Sequence, residues 1–317
     1  MVAGVFVGRA APAGAGTVAT MTTQSALAKG QIAFAVAFAL LIVGAVAMGA
    51  SPIFVRHAEV GPFASAFWRA ALALPVLWLW TAVEARAAPA APAPRFPAAV
   101  VLSGLFFAGD LVFWHLAILN TTMANATLMA CLAPVWVLIL SGVFIGEPVD
   151  RRSFAGLAIC LAGAALLIGS SYRVDPTRLI GDFYGLVTSV FFGLYFLAVR
   201  VARRRLGGGR LTLSSTIVTA AILFVVALIS GNDLMPTTAS GYASLAALGI
   251  VSQAGGQGML AVALGALSAA FSSLVIFIEA VAAALFGWVL FGEAMGPMQM
   301  AGAALILTGI WVARPRQ

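Results

Sequence analysis

Charge is scarce in this chain. Only 9% of its 317 residues are Asp, Glu, Lys or Arg, against about 25% in a typical soluble domain. Histidine and cysteine are scarcer, at two each. His57 and His115 lie far apart without a ligand-spaced partner, which argues against a metal centre. The absence of any Gly-rich phosphate loop argues against nucleotide hydrolysis. Cys131 and Cys160 both fall inside apolar runs, where inert, buried thiols are expected. Residues 1–28, rich in Ala, Gly and Thr with a lone Arg9, lack the apolar core of a signal peptide. This segment is expected to be disordered, and Met21 offers an alternative start.

Apolar residues take up the space that charge leaves. They make up 62% of the chain, with a mean hydropathy of +1.08. A single water-facing globule cannot bury that much, so the solvent must be lipid. A transmembrane β-barrel would show alternating segments of about ten residues; the runs here are longer and mostly unbroken. Ten of them stand at roughly 31–55, 62–83, 96–119, 122–145, 152–170, 181–202, 211–230, 239–264, 267–291 and 296–313. A linker, EARAAPAAPAPRFP, separates the second from the third and is too rich in proline for a helix.

The net charge of +7 is not a nucleic-acid signature, because the bases sit in short loops rather than on one soluble face. They read instead as topology signals. With the N-terminus inside, thirteen of the 17 basic residues fall in inside segments, among them Arg86, Arg151, Arg152, Arg200, Arg203 to Arg205 and Arg314. Only Arg56, Arg173 and Arg178 fall outside, and Arg69 lies within the second run. The positive-inside rule then puts both termini in the cytoplasm and supports an even number of helices.

An internal repeat is the most informative feature. Shifted by 146 residues, Ala117–Leu166 lies on Ala263–Val312 without a gap, with about a dozen of 50 positions identical. Gly146-Glu147 falls on Gly292-Glu293, Ala155-Gly156 on Ala301-Gly302, and Gly163 on Gly309. Five helices per repeat is an odd number, so the halves must be inverted relative to one another, an arrangement common among transporters. The predicted fold is an all-α membrane protein: ten transmembrane helices in two inverted five-helix repeats, residues 29–170 and 180–314.

The chain resembles the EamA family of the drug/metabolite transporter superfamily. The likeness is carried by SPIFVR (51–56), GPFASAFWRA (61–70), the 117–149 segment ending in FIGEPV, and FAGLAICLAGAALL (154–167). In the second half, 261–295 ending in LFGEAM and MAGAALILTGIWV (300–312) carry it. Length and aromatic content are similar to those of bacterial amino-acid exporters of the YddG type. The resemblance implies a central cavity lined by helices one to four and six to nine, with five and ten at the periphery. It also implies export of small metabolites from a bacterial inner membrane by alternating access, without ATP, cofactor or metal.

Ionisable residues in hydrocarbon are costly unless paired or hydrated, so those few mark candidate substrate-binding positions. Asp110 lies in the middle of the third run and Glu279 in the middle of the ninth. Either acid suits an ammonium group or a coupling proton, and Arg69 suits a carboxylate; alternatively, Arg69 is structural glue. Phe107, Asp110, Leu111 and Trp114 share one helical face, with His115 beside it. Gln253 and Gln257 stand one turn apart in the eighth run. Laying Val199-Arg200 on Val55-Arg56 places Tyr195 on Ser51, and both hydroxyls need partners at that depth.

Pro52 and Pro134 each break a backbone bond and are candidate hinges, freeing the carbonyls of Met48 and Ala130. Glu147 and Glu293 read as caps or loop anchors. Gly156, Gly163, Gly302 and Gly309 read as close helix contacts. The expected partners are a small solute, an amino acid above all, and the bilayer. Rival classes are a multidrug or nucleoside exporter of the same fold and a membrane-embedded transferase, the latter disfavoured by the lack of clustered His, Asp or Glu.

Overall fold

A computed structural model describes residues 33–87, 97–169, 176–231, 233–292 and 295–315. The segment expected to be disordered, residues 1–28, lies outside them, as do Glu293 and Arg173. Nine helical spans are long and apolar enough to cross a membrane: α1 (Ala33–Arg56), α2 (Pro62–Ala87), α3 (Ala98–Asn120), α4 (Asn125–Ile145), α5 (Arg151–Gly169), α6 (Pro176–Arg203), α7 (Gly208–Ile229), α8 (Ala239–Ala263) and α9 (Ala269–Leu290). A tenth, α10 (Pro297–Val312), is shorter and also apolar. No strand occurs among the described residues. In lipid the backbone must satisfy itself, and a helix does so within one segment. Val36, Trp78, Leu79, Val143, Ile229, Val289 and Trp311 are exposed on the outer surface, as lipid-facing side chains should be.

Most helix ends fall close to the apolar runs. Two do not. α2 continues through Glu84 to Ala87, because EARA suits a helix and the prolines begin only at Pro89. α6 starts at Pro176, ahead of its apolar stretch, with one 3₁₀ turn over Pro176–Arg178.

The repeat is visible in local backbone chemistry. Thr122 caps the start of α4, its Oγ1 accepting from Asn125 N at 3.1 Å. Ser268, 146 residues later, caps α9 by accepting from Phe271 N at 3.3 Å. Hydroxyl N-caps satisfy amides that have no intrahelical partner. Both repeats also end this helix on a left-handed glycine: Gly146 at φ 68° and Gly292 at φ 68°, a conformation that only glycine adopts freely. Glu147, which follows the first of these glycines, is thereby thrown off the helix axis.

Helices α5 and α10 form a peripheral pair that contributes nothing to the central cavity. Their glycines make the contact. A Cβ on Gly302 would lie 2.5 Å from Leu167 N and 2.6 Å from Gly163 O. The four glycines therefore pack helices, as read from the sequence.

On the face where the odd-numbered helices end, Glu59 ties the α1–α2 loop to the α7–α8 loop. Its carboxylate accepts from the amides and hydroxyls of Thr237 and Thr238, the shortest being Thr238 Oγ1 at 2.6 Å. These bonds hold the Glu59 carboxyl below its ordinary pKa. Glu59 also sits at φ 57°, a costly conformation for a residue with a Cβ.

Two outcomes follow. Gly302→Ala should lose about 1–3 kcal/mol of stability through overpacking, whereas Gly142→Ala, with nothing within 4 Å, should unfold near the wild-type midpoint in detergent. Because the Glu59 pKa is depressed on folding, its stabilisation is complete above the ordinary carboxylate range and fades as pH falls through the lowered value. Thermal midpoints of the wild type and Glu59→Gln should therefore differ at neutral pH and converge in acid.

Candidate functional site

A cavity of about 650 Å³ lies between the two halves, within the range of roughly 300–1,000 Å³ of small-molecule sites. Its wall comes from the second half of α1 (Gly49 to Arg56), from α3 (Phe107 to Trp114), from the first half of α4 (Thr127 to Pro134), from α6 (Thr188, Phe192, Phe196) and from α9 (Ser273 to Gly287), with Arg69 of α2 and Gln257 of α8. The lining runs from mid-bilayer to the face where the odd-numbered helices end, with exposed Arg56 at the rim.

The opposite face, which carries the ends of α2, α4 and α6, is shut. Phe34, Phe38 and Phe271 stack there with centroids 5.7 to 6.1 Å apart, and Arg314 lies 5.6 Å over the Phe34 ring. Beside this plug Arg200 Nε donates to Glu147 Oε1 at 2.5 Å.

Local breaks in helicity shape the wall. α1 is interrupted at Ala50, just before Ser51 and Pro52. α4 is interrupted at Cys131–Leu132, just before Pro134. Pro52 and Pro134 both line the cavity. α9 is interrupted at Ile276, which corresponds to Ala130 in the first repeat, yet has no proline. α8 carries a π-helical segment, Leu248–Gln257, the kind of distortion that recurs at functional sites. Both glutamines fall within it.

The sequence-predicted residues separate into two layers. Ser51, Arg69, Asp110, Trp114, Gln257 and Glu279 line the cavity. Among the described residues no cation stands within ion-pair distance of either Asp110 or Glu279. Tyr195, Gln253 and His115 stand behind the wall and are buried. Arg69 Nε donates to Gln253 Oε1 at 3.1 Å, and Gln253 Nε2 donates to Thr216 of α7 at 3.4 Å. Tyr195 donates to Gln257 Oε1 at 3.1 Å. Phe107 sits between these bonds, 4.9 Å from the Tyr195 ring and 5.5 Å from the Arg69 guanidinium.

His115 turns away from the cavity. Its Nδ1 donates to Leu111 O at 2.6 Å and its ring packs on Phe63 and Trp114. The expectation that α7 lines the cavity is not met: no α7 residue is on the wall, because α7 packs behind α2 and α3. It reaches the site only through Thr216.

Sequence reading missed Thr188, Phe192, Phe196 and Phe277. The aromatics are indistinguishable from lipid-facing ones by type alone. Thr188 carried a signal, since a hydroxyl mid-run needs a partner, as Ser51 did. The Oγ atoms of both are buried with no hydrogen-bond partner among the described residues. A buried orphan hydroxyl on a cavity wall calls for water or a solute.

Comparison with known proteins agrees with this architecture. The model of the EamA-like transporter family matches residues 35–169 and, a second time, 179–314. The pseudopaline exporter CntI of Pseudomonas aeruginosa is 28% identical over 214 residues, covering 66% of this chain and 72% of that one. A probable terminal-alkyne amino-acid exporter of Streptantibioticus cattleyicolor is 27% identical over 196 residues, covering 61% and 64%. A solved crystal structure superposes with a TM-score of 0.74, covering 87% of this chain and 96% of that one; at 20% identity the likeness is one of fold.

The bond between Tyr195 and Gln257 is open to test. Tyr195→Phe should lose about 1–3 kcal/mol, the range for leaving a buried acceptor short of a donor. Tyr195→Phe with Gln257→Leu should regain part of that loss in the same thermal assay.

Proposed function

Because the chain belongs to the EamA-like transporter family, we propose that it is a secondary transporter that exports small metabolites, amino acids foremost, by alternating access. The observation that carries the reading is the pair of carboxylates, Asp110 and Glu279, on one cavity wall with Arg69 between α2 and α8. Two acids and one base suit a solute bearing an ammonium group, with or without a carboxylate. Trp114, Phe192, Phe196 and Phe277 supply apolar faces for its side chain. Ser51 and Thr188 supply hydrogen bonds that this wall otherwise leaves unmade.

The thirteen-to-three distribution of basic residues supports a bacterial inner membrane with both termini cytoplasmic. On that orientation the cavity faces outward and the plug of Phe34, Phe38 and Phe271 closes the cytoplasmic side. Exchange of a proton on either acid for the departing ammonium would couple export to the proton gradient. The relatives, named as a pseudopaline exporter and a probable terminal-alkyne amino-acid exporter, support export of small solutes. The same family and relatives support a role in transport rather than catalysis.

A second reading rests on the aromatic wall. Aromatic faces attract organic cations, so an exporter of bulkier cations, a multidrug carrier, fits the same acids. Counterflow in proteoliposomes separates the two. Labelled amino acid should exchange at a rate that bulky cations do not inhibit; inhibition by the cations, with no amino-acid flux above empty vesicles, would favour the second reading. Asp110→Asn and Glu279→Gln should each lower flux about tenfold or more, one lost charged contact being worth roughly 1.5–3 kcal/mol.

A further inference from the structure

Glu147, of the first Gly-Glu pair, is not among the residues that line the cavity, yet it is the most heavily bonded carboxylate at the closed end among the described residues. Gly146 ends the α4 span in the left-handed conformation and projects Glu147 across the closed face. Glu147 Oε1 accepts from Arg200 Nε of α6 at 2.5 Å, and Arg204 Nη2 stands 3.8 Å away. Glu147 Oε2 accepts from Ala269 N at 3.1 Å. That amide opens α9, where a carboxylate meets unsatisfied N–H groups and the positive end of the helix dipole. Arg200 Nη1 donates to Leu264 O at 2.6 Å, and Arg204 Nη2 donates to Ile145 O at 2.6 Å.

One side chain thus joins three helices, two from the second repeat and one from the first. Between them stands the Phe271 plug, whose residue lies two positions beyond Ala269. Opening this face requires α4 of the first repeat and α6 and α9 of the second to separate, and Glu147 spans all three.

We infer that Glu147, with Arg200 and the first amide of α9, is a charge latch that holds this face of the transporter shut. A two-state element biased by a few charged contacts is what alternating access needs at a closed end.

The latch rests on the alternating-access reading, but its test needs no solute. Cys131, expected from the sequence to be an inert buried thiol, instead lines the cavity and is only half-buried, so it supplies a native reporter. In a Cys160→Ala background, a membrane-impermeant maleimide is applied to each face of sealed vesicles of both orientations. Cys131 should react from the open face in the parent protein. Glu147→Gln and Arg200→Gln should each raise its rate from the terminus-bearing face about tenfold, within the usual span of coupling effects. The double variant should raise the rate by less than the product of the two single effects, because the Glu147–Arg200 contact is shared between them.

Unchanged rates from the terminus-bearing face in both single variants overturn the latch. Absence of amino-acid flux with shifted labelling fails the substrate reading alone.

Discussion

Hydrocarbon gives a charged side chain nowhere to go but inward, and this constraint organises the molecule. Arg69, Asp110 and Glu279 lie well within membrane spans, and each one turns to the space between the halves. The two acids line the cavity, and Arg69 is joined to a relay of neutral partners, which lowers its cost in lipid. Arg69 bonds Gln253, Gln253 bonds Thr216, and Tyr195 bonds Gln257. The relay crosses α2, α6, α7 and α8, so the polar floor of the cavity is also a brace between the repeats.

Above that floor the helices are deliberately imperfect. α1 and α4 break next to Pro52 and Pro134, α8 widens into a π-helix, and α9 breaks without proline one residue before the position equivalent to the α4 break. Irregular backbone at membrane depth is tolerated only where it faces protein or water. All four irregular segments contribute to the cavity wall. The peripheral pair α5 and α10, by contrast, is regular, and its glycines bring the two backbones into contact.

The two ends of the molecule differ although the repeats that build them match. At one end Glu147, Arg200 and three phenylalanines are assembled; at the other, Arg56 lines an open rim. The alternating access proposed above would exchange the environments of the two repeats, and with them the open and closed ends.

Several features were legible in the sequence for direct physical reasons. Ten apolar runs gave ten helices because lipid admits no other way to satisfy a backbone of that length. The 146-residue repeat, its Gly-Glu pairs and its small-residue contacts were readable because left-handed turns and close helix approach demand particular residues. Asp110, Glu279 and Gln257 stood out because polarity in hydrocarbon is costly wherever it points. What the tertiary structure alone decided is direction. Facing the cavity, standing behind it and facing lipid are all consistent with the same aromatic or amide in an apolar run. Thus His115 turned to a backbone carbonyl, Tyr195 and Gln253 became second-layer supports, and α7 packed outside the wall. Helix rotation and tilt are set by contacts between segments distant in the chain, and those contacts leave no local periodicity to read.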